Sequence, residues 1–175
     1  MPSRYYFLSS LPMLRYHEPA PLTWERFLAD AQGNISDSDY RLLTIIPEGK
    51  DGGNGFLRKW YAVNAKVSDA VNAQRKANLG RDDVGPVVLR EYEVERVANA
   101  AMNAKNPLEA EIILMKFGYD YLESAKGLEP FSENALLAYA LQLRILLRKD
   151  SFTAEKGNEQ YEKLFGIIQN EMNME

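Results

Sequence analysis

Between Asn106 and Leu122 the apolar residues Leu108, Ile112, Met115, Tyr119 and Leu122 recur at intervals of 4, 3, 4 and 3. A period near 3.6 puts all of them on one face, so this stretch reads as a helix. The residues at its start agree. Asn106 caps, Pro107 suits a first turn where its missing donor has no intrahelical partner to lose, and Glu109 favours the positive end of the dipole. Ile113, Leu114, Phe117 and Tyr121 fall on neighbouring faces, which predicts a helix covered on several sides.

The same spacing recurs at Phe56, Trp60, Val63, Val67 and Ala70, ahead of stops at Gly80 and Gly85-Pro86. A further helix is expected from about Leu89, with Val94, Val97 and Ala101 inward. Gly127 and Pro130 end the 106 helix, and Ser132 caps a run from Leu136 to Leu143 that is apolar over most of its girth. Thr153 starts a last helix with Tyr161, Leu164, Phe165, Ile168 and Met172 on one face. Nearer the start, Thr23 caps a short helix through Trp24, Phe27 and Leu28. Ser36 caps another through Tyr40, Leu43 and Ile46, with Asp39 completing a short capping box. Only Tyr5 to Leu8 and Val87 to Leu89 read as extended. The expected fold is all-α: an irregular multi-helix bundle with one short N-terminal extended segment. Residues 1–175 read as one helical domain, in which the glycine-rich loop 47–55 separates a smaller lobe, 1–50, from a main body, 56–175.

Composition narrows the function classes. The chain has 21 basic and 25 acidic side chains and a formal charge of -4, with the basic residues scattered among acids. Phosphate contacts supply most of a nucleic-acid binder's affinity, so nucleic acid is a poor expectation. The absence of cysteine excludes disulfides, thiolate metal sites and cysteine nucleophiles, and it suits the cytoplasm. No run approaches the roughly 18 apolar residues of a membrane span. The opening Tyr5-Tyr6-Phe7-Leu8-Ser9-Ser10 is too short an apolar run for a signal peptide, and its aromatics are expected to be buried against the helical body.

Catalytic chemistry finds no support in the motifs. Gly49-Lys50 is followed by Asp51, where a phosphate-binding loop needs Ser or Thr, and Gly53 stands where a calcium loop needs Asp or Asn. Lys50, Asp51, Gly52, Gly53 and Asn54 read instead as a mobile connection able to dock on a partner. His17 is the single histidine, too few for a two-histidine metal site, and a small enzyme using it with nearby carboxylates is the weakest reading. The acidic groups Asp37/Asp39, Asp82/Asp83 and Glu91/Glu93/Glu95 read as solvated faces, with Asp37 also suiting a helix N-terminus. Trp60, Tyr119, Tyr121, Tyr139 and Tyr161 sit at helical spacing and read as packing residues. No catalytic, cofactor-binding or metal residue is assigned.

Two stretches carry a resemblance. Tyr5-Tyr6-Phe7-Leu8-Ser9-Ser10-Leu11-Pro12 resembles the Tyr-Tyr-x-Leu-x-x-Ser-Leu-Pro opening of a bacterial family whose genes occur beside those of V-type (A-type-like) ATPases. Leu136, Leu137, Tyr139 and Leu141 in the leucine-rich run, with Lys156, Gly157, Tyr161 and Leu164 after it, resemble that family's C-terminal pattern. The same arrangement is similar to the C-type component of these ATPases, the d-type component in eukaryotes. That component is a longer, all-helical funnel of related lobes coupling the central rotor shaft to the membrane proteolipid ring. The resemblance implies a non-catalytic coupling or assembly subunit in the cytoplasm, peripheral to the inner membrane through the ATPase, with the central stalk and proteolipid ring as partners. The alternative is a free-standing cytoplasmic helical adaptor or regulator.

Overall fold

The computed structural model describes residues 3–78 and 92–152. Within them the chain forms α1 (Arg4–Ser10), α2 (Trp24–Ala31), α3 (Asp37–Ile45) with a 3-10 turn (Ile46–Glu48), α4 (Gly55–Asn78), α5 (Tyr92–Met102), α6 (Pro107–Ala125) and α7 (Glu133–Ser151). No strand occurs among the described residues. The protein is all-α there. The segments 79–91 and 153–175 lie outside the described residues. They include Val87–Leu89, Asp82/Asp83, Glu91, the helix expected after Thr153, and the signature residues Lys156, Gly157, Tyr161 and Leu164.

Four helix starts form through the side chains that the sequence offers for them. Thr23, Ser36, Asn106 and Ser132 each accept a hydrogen bond from the backbone N–H three residues on. At α6 Asn106 Oδ1 accepts from the Glu109 N–H, while Glu109 Oε2 reaches back past the cap to accept from the Lys105 N–H, 2.8 Å. Gly127, at φ +81°, follows the last turn of α6, a conformation that glycine adopts without a Cβ clash.

The extended N-terminal segment is not observed. Arg4–Ser10 is a helix of seven residues. Its Ser3 makes no side-chain cap, so tertiary contacts hold it. Phe7 is buried on the α2 ring of Phe27, at 5.8 Å between centroids. The Arg4 guanidinium reaches Asp39 through Nε at 3.1 Å and Nη2 at 2.8 Å. Asp39 is therefore neither a solvated acid nor the closing residue of a capping box. It is 2 % exposed and neutralised by Arg4, and only its backbone N–H engages Ser36.

The main core surrounds α7. Leu136, Leu137, Ala138, Ala140 and Leu143 are each fully buried, against Phe7, Phe27, Leu43, Leu57, Trp60 and Leu122. Residues before position 50 and residues after 56 thus share one core. A second cluster joins α4 to α5 through Val67, Ala70, Val71, Val94 and Ala98, with Leu114 and Phe117 of α6 against it. On α4 the buried face is Leu57, Trp60, Val67, Ala70 and Val71, while Phe56 and Val63 of the expected stripe are only partly covered. On α6 the expected stripe is buried only from Met115 onward, and Leu108 and Ile112 are exposed.

Candidate functional site

Those residues carrying the family resemblance that lie among the described ones are brought together as two layers. The inner layer is structural. Leu136 and Leu137 are fully buried, Leu141 is 5 % exposed, and Leu8 and Leu11 pack at the edge of the same core. The Tyr139 hydroxyl donates to the Pro12 carbonyl, 2.9 Å, and its ring stacks on Phe27 at 5.7 Å. Burial raises the Tyr139 phenol well above its ordinary value. That bond ties the end of the opening motif to the middle of the leucine-rich run.

The outer layer is exposed, contrary to the expectation that the opening aromatics are buried. In a helix Phe7 points inward, so Tyr5 and Tyr6 turn outward, and they are 53 % and 74 % exposed. Tyr5 lies 4.4 Å from the ring of Phe131 and meets Tyr6 edge-on at 5.4 Å. Phe131 and the fully exposed Leu128 belong to the turn between α6 and α7. Aromatic surface of this kind, apolar with a hydroxyl handle, is the type enriched in protein contacts. Beside Tyr6 opens a cleft of about 750 Å³ bounded by Ser10, Pro12, Arg26, Asp30 and Asn34. Its polar groups are largely engaged with one another, since Arg26 pairs with Asp30 at 2.8 Å and Asn34 Nδ2 donates to the Asp30 carbonyl.

The glycine loop is bonded to its own chain throughout. Lys50 pairs with Glu48, which raises the lysine's pKa. Asp51 accepts from the Gly53 N–H at 2.8 Å and from Arg58 Nε at 3.1 Å, and these contacts, the Gly53 bond foremost, hold its carboxyl below the ordinary range. Asn54 Oδ1 accepts from the Phe56 and Leu57 N–H groups, capping α4, while its Nδ2 reaches Glu133 at the start of α7. Gly52, at φ +55°, sits so close to α3 that a Cβ would stand 2.5 Å from Ile45 Cδ1. The loop is a fitted joint between α3, α4 and α7.

His17 is exposed and stands edge-on to Tyr16 at 5.5 Å, while the neighbouring Glu18 pairs with Arg15 at 2.9 Å. No group of three metal-ligating side chains comes together among the described residues. Of the aromatic positions, Trp60 and Tyr119 are buried and stack or pack within the helix layers, and Tyr121 lies 6.1 Å from the Trp60 ring. Glu123 bonds Gln142 Nε2 and Lys126. Although burial works to raise its pKa, those two partners bring it below the ordinary value.

Three elements escape sequence reasoning. The Arg4–Asp39 pair spans 35 residues and has no local signal. Phe131 reads as a loop residue in the sequence. The residues around Pro19-Ala20-Pro21 read as an irregular, proline-rich connection, yet the nearby Tyr16 is 8 % exposed and donates its hydroxyl to the Ile112 carbonyl, 2.9 Å. An aromatic flanked by prolines is the one hint in the sequence that this link is anchored.

No family model matches this chain, and no curated protein or solved structure matches it either. None of its helices, among the described residues, is long and apolar enough to cross a membrane.

Proposed function

We propose that this protein is a non-catalytic coupling or assembly subunit of a bacterial V-type ATPase, similar to a part of the C-type component, standing between the rotor shaft and the membrane ring. Its work is mechanical. A stiff body built on α7 carries load, an exposed aromatic face meets a neighbour, and ATP is hydrolysed by other members of the complex. The observation that carries the reading is the Tyr139–Pro12 bond. It joins the opening motif to the leucine-rich run, both of which resemble the ATPase-associated family, and leaves Tyr5 and Tyr6 of the opening motif outward. A fitted glycine joint, which locks α3, α4 and α7, suits a load-bearing part better than a floppy adaptor.

The test is recovery of partners. The protein, tagged at its natural level, should bring down central-stalk and ring proteins from solubilised membranes, and Tyr5→Ser with Tyr6→Ser should weaken that recovery without unfolding the chain. Membranes that yield no part of the ATPase overturn the reading. Recovery of soluble proteins alone, with the same dependence on Tyr5 and Tyr6, supports a free-standing cytoplasmic adaptor instead.

A further inference from the structure

The link between α1 and α2, residues Leu11 to Thr23, is far longer than its two ends require. Pro12 already touches Tyr139, and α2 returns to the same place through Phe27, whose ring lies 5.7 Å from Tyr139. A connection of about 2–8 residues is usual between packed helices. This one instead runs out along α7 as far as Lys149 and Asp150, ten residues and about 15 Å beyond Tyr139, and then comes back. Loops of this kind, with close ends and a packed interior, are frequently functional.

What the excursion does is fill the groove between α6 and α7. Tyr16 lies with the Lys116 and Lys149 ammonium groups 5.4 and 5.2 Å from its ring centroid, edge-on to Tyr119 at 5.4 Å, and packed with Met115 and Leu146. Cation–π contact and the Ile112 carbonyl at its hydroxyl make this a pocket specific for a phenol. The remaining groove contacts address backbone. Lys149 Nζ donates to the carbonyls of Tyr16 and Glu18, Asp150 Oδ2 accepts from the Ala20 N–H at 2.7 Å, and Tyr139 holds the Pro12 carbonyl. One side-chain pocket plus a row of main-chain contacts is how peptide grooves read an extended segment.

We infer that the α6–α7 groove is a binding site for an extended peptide bearing a tyrosine, and that residues 12–20 are its intramolecular occupant. A partner segment of the same chemistry would displace the loop. The loop holds the site closed with an effective concentration on the order of millimolar, typical of a short tether. The inference does not depend on membership in an ATPase.

The probe is a fluorescent synthetic peptide with the sequence of residues 11–22, titrated against the full chain and read by anisotropy. Tyr16→Ala empties the phenol pocket, so this variant should bind the peptide about tenfold more tightly than the natural chain, the gain on releasing an internal competitor of millimolar effective concentration and roughly 0.1 mM dissociation constant. Lys149→Met added to it should remove that gain, and a peptide with alanine in place of its tyrosine should not bind. A folded Tyr16→Ala variant that ignores the peptide overturns the inference. Should that variant fail to fold, hydrogen exchange on the natural chain decides. Millimolar peptide should speed exchange at the Ala20 amide while leaving the α4 and α5 amides unchanged, and an Ala20 rate indifferent to the peptide overturns it.

Discussion

Two interiors among the described residues are built on opposite principles. Around α7 the space is filled by large side chains. Phe27, Leu43, Leu57, Leu122, Leu136, Leu137 and Leu143 all lie fully buried there, drawn from α2, α3, α4, α6 and α7. Where α4 meets α5 the buried residues are Val67, Ala70, Val71, Val94 and Ala98, and not one of the largest fully buried side chains belongs to that cluster. Small residues let helices approach closely, but they remove little apolar area from water. Hydrophobic stabilisation grows with that area, so the two interiors should differ in how much each residue contributes. Tethers span the first interior at Arg4–Asp39, Tyr139–Pro12 and Asn54–Glu133, and Gln74 bonds Asn99 at 2.7 Å across the second. The aromatic face rests on the first, and the filled groove on the neighbouring cluster of Tyr16, Met115, Tyr119 and Leu146.

The largest expected effect tests that difference directly. Leu137→Ala should cost about 2–5 kcal/mol, the range for a leucine removed from a core that cannot collapse. Val71→Ala should cost about 1–2 kcal/mol, two methyl groups at roughly 0.8 each, offset in part by alanine's better helix propensity. Urea unfolding of both variants makes the comparison. Equal losses would break the distinction between the two interiors.

Next comes the tether at Asp39. As a solvated acid it would be replaceable by alanine within about 0.5 kcal/mol, the usual range for surface positions. Buried and bonded by Arg4, it should instead cost about 1.5–3 kcal/mol on Asp39→Ala, the loss typical of a charged hydrogen bond. The α1 amides should lose hydrogen-exchange protection first. Smaller again is the effect at Gly118, on the α6 side of the main core. A Cβ there would stand 2.9 Å from Trp60 Cη2 and 3.5 Å from Ile145 Cδ1. Gly118→Ala should cost about 1–2 kcal/mol, because overpacking at about 1–3 outweighs the propensity gained. A more stable variant would mean that the Trp60 ring moves aside freely, visible as a shifted tryptophan emission.

What was legible in the sequence was whatever has a local cause. Thr23, Ser36, Asn106 and Ser132 mark helix starts because a cap bonds an amide three residues away, α4 and α6 show themselves by period, and α7 by its long apolar run. The α1 helix was not legible, since its seven residues have no capping side chain and depend on Phe7 and on an arginine pairing across 35 positions. Period also overstates burial at helix ends. Leu108 and Ile112 continue the stripe of Met115 and Tyr119, yet both stand exposed. At the candidate surface, the resemblance picked out Tyr5 and Tyr6, but only the direction of the Phe7 side chain shows that they face outward. The role of Tyr16 depends on Lys116 and Lys149, which are brought to it by the packing of α6 on α7 and by nothing nearby in sequence.

The smallest effect separates the interiors by pH. Burial raises the phenols of Tyr139, Tyr119 and Tyr16, all around α7, above the ordinary tyrosine value of 10.0. The folded state thus holds these protons more tightly than the unfolded chain does. Their contribution is fully present below about pH 10 and declines as pH rises from there toward the folded values. The α4–α5 cluster contains no tyrosine among the described residues, so alkaline pH should lower the protection of the α7 amides by more than that of the α5 amides. At neutral pH Tyr139→Phe loses the Pro12 bond and should cost about 0.5–1.5 kcal/mol. Above about pH 10 its stability should fall less steeply than that of the natural chain, because one of the raised phenols is gone. Urea midpoints collected from about pH 8 to about pH 11, either side of that ordinary value, distinguish the outcomes. Parallel curves would mean that the Tyr139 proton is not held by the fold, and that the interior around α7 is wetter than its packing implies.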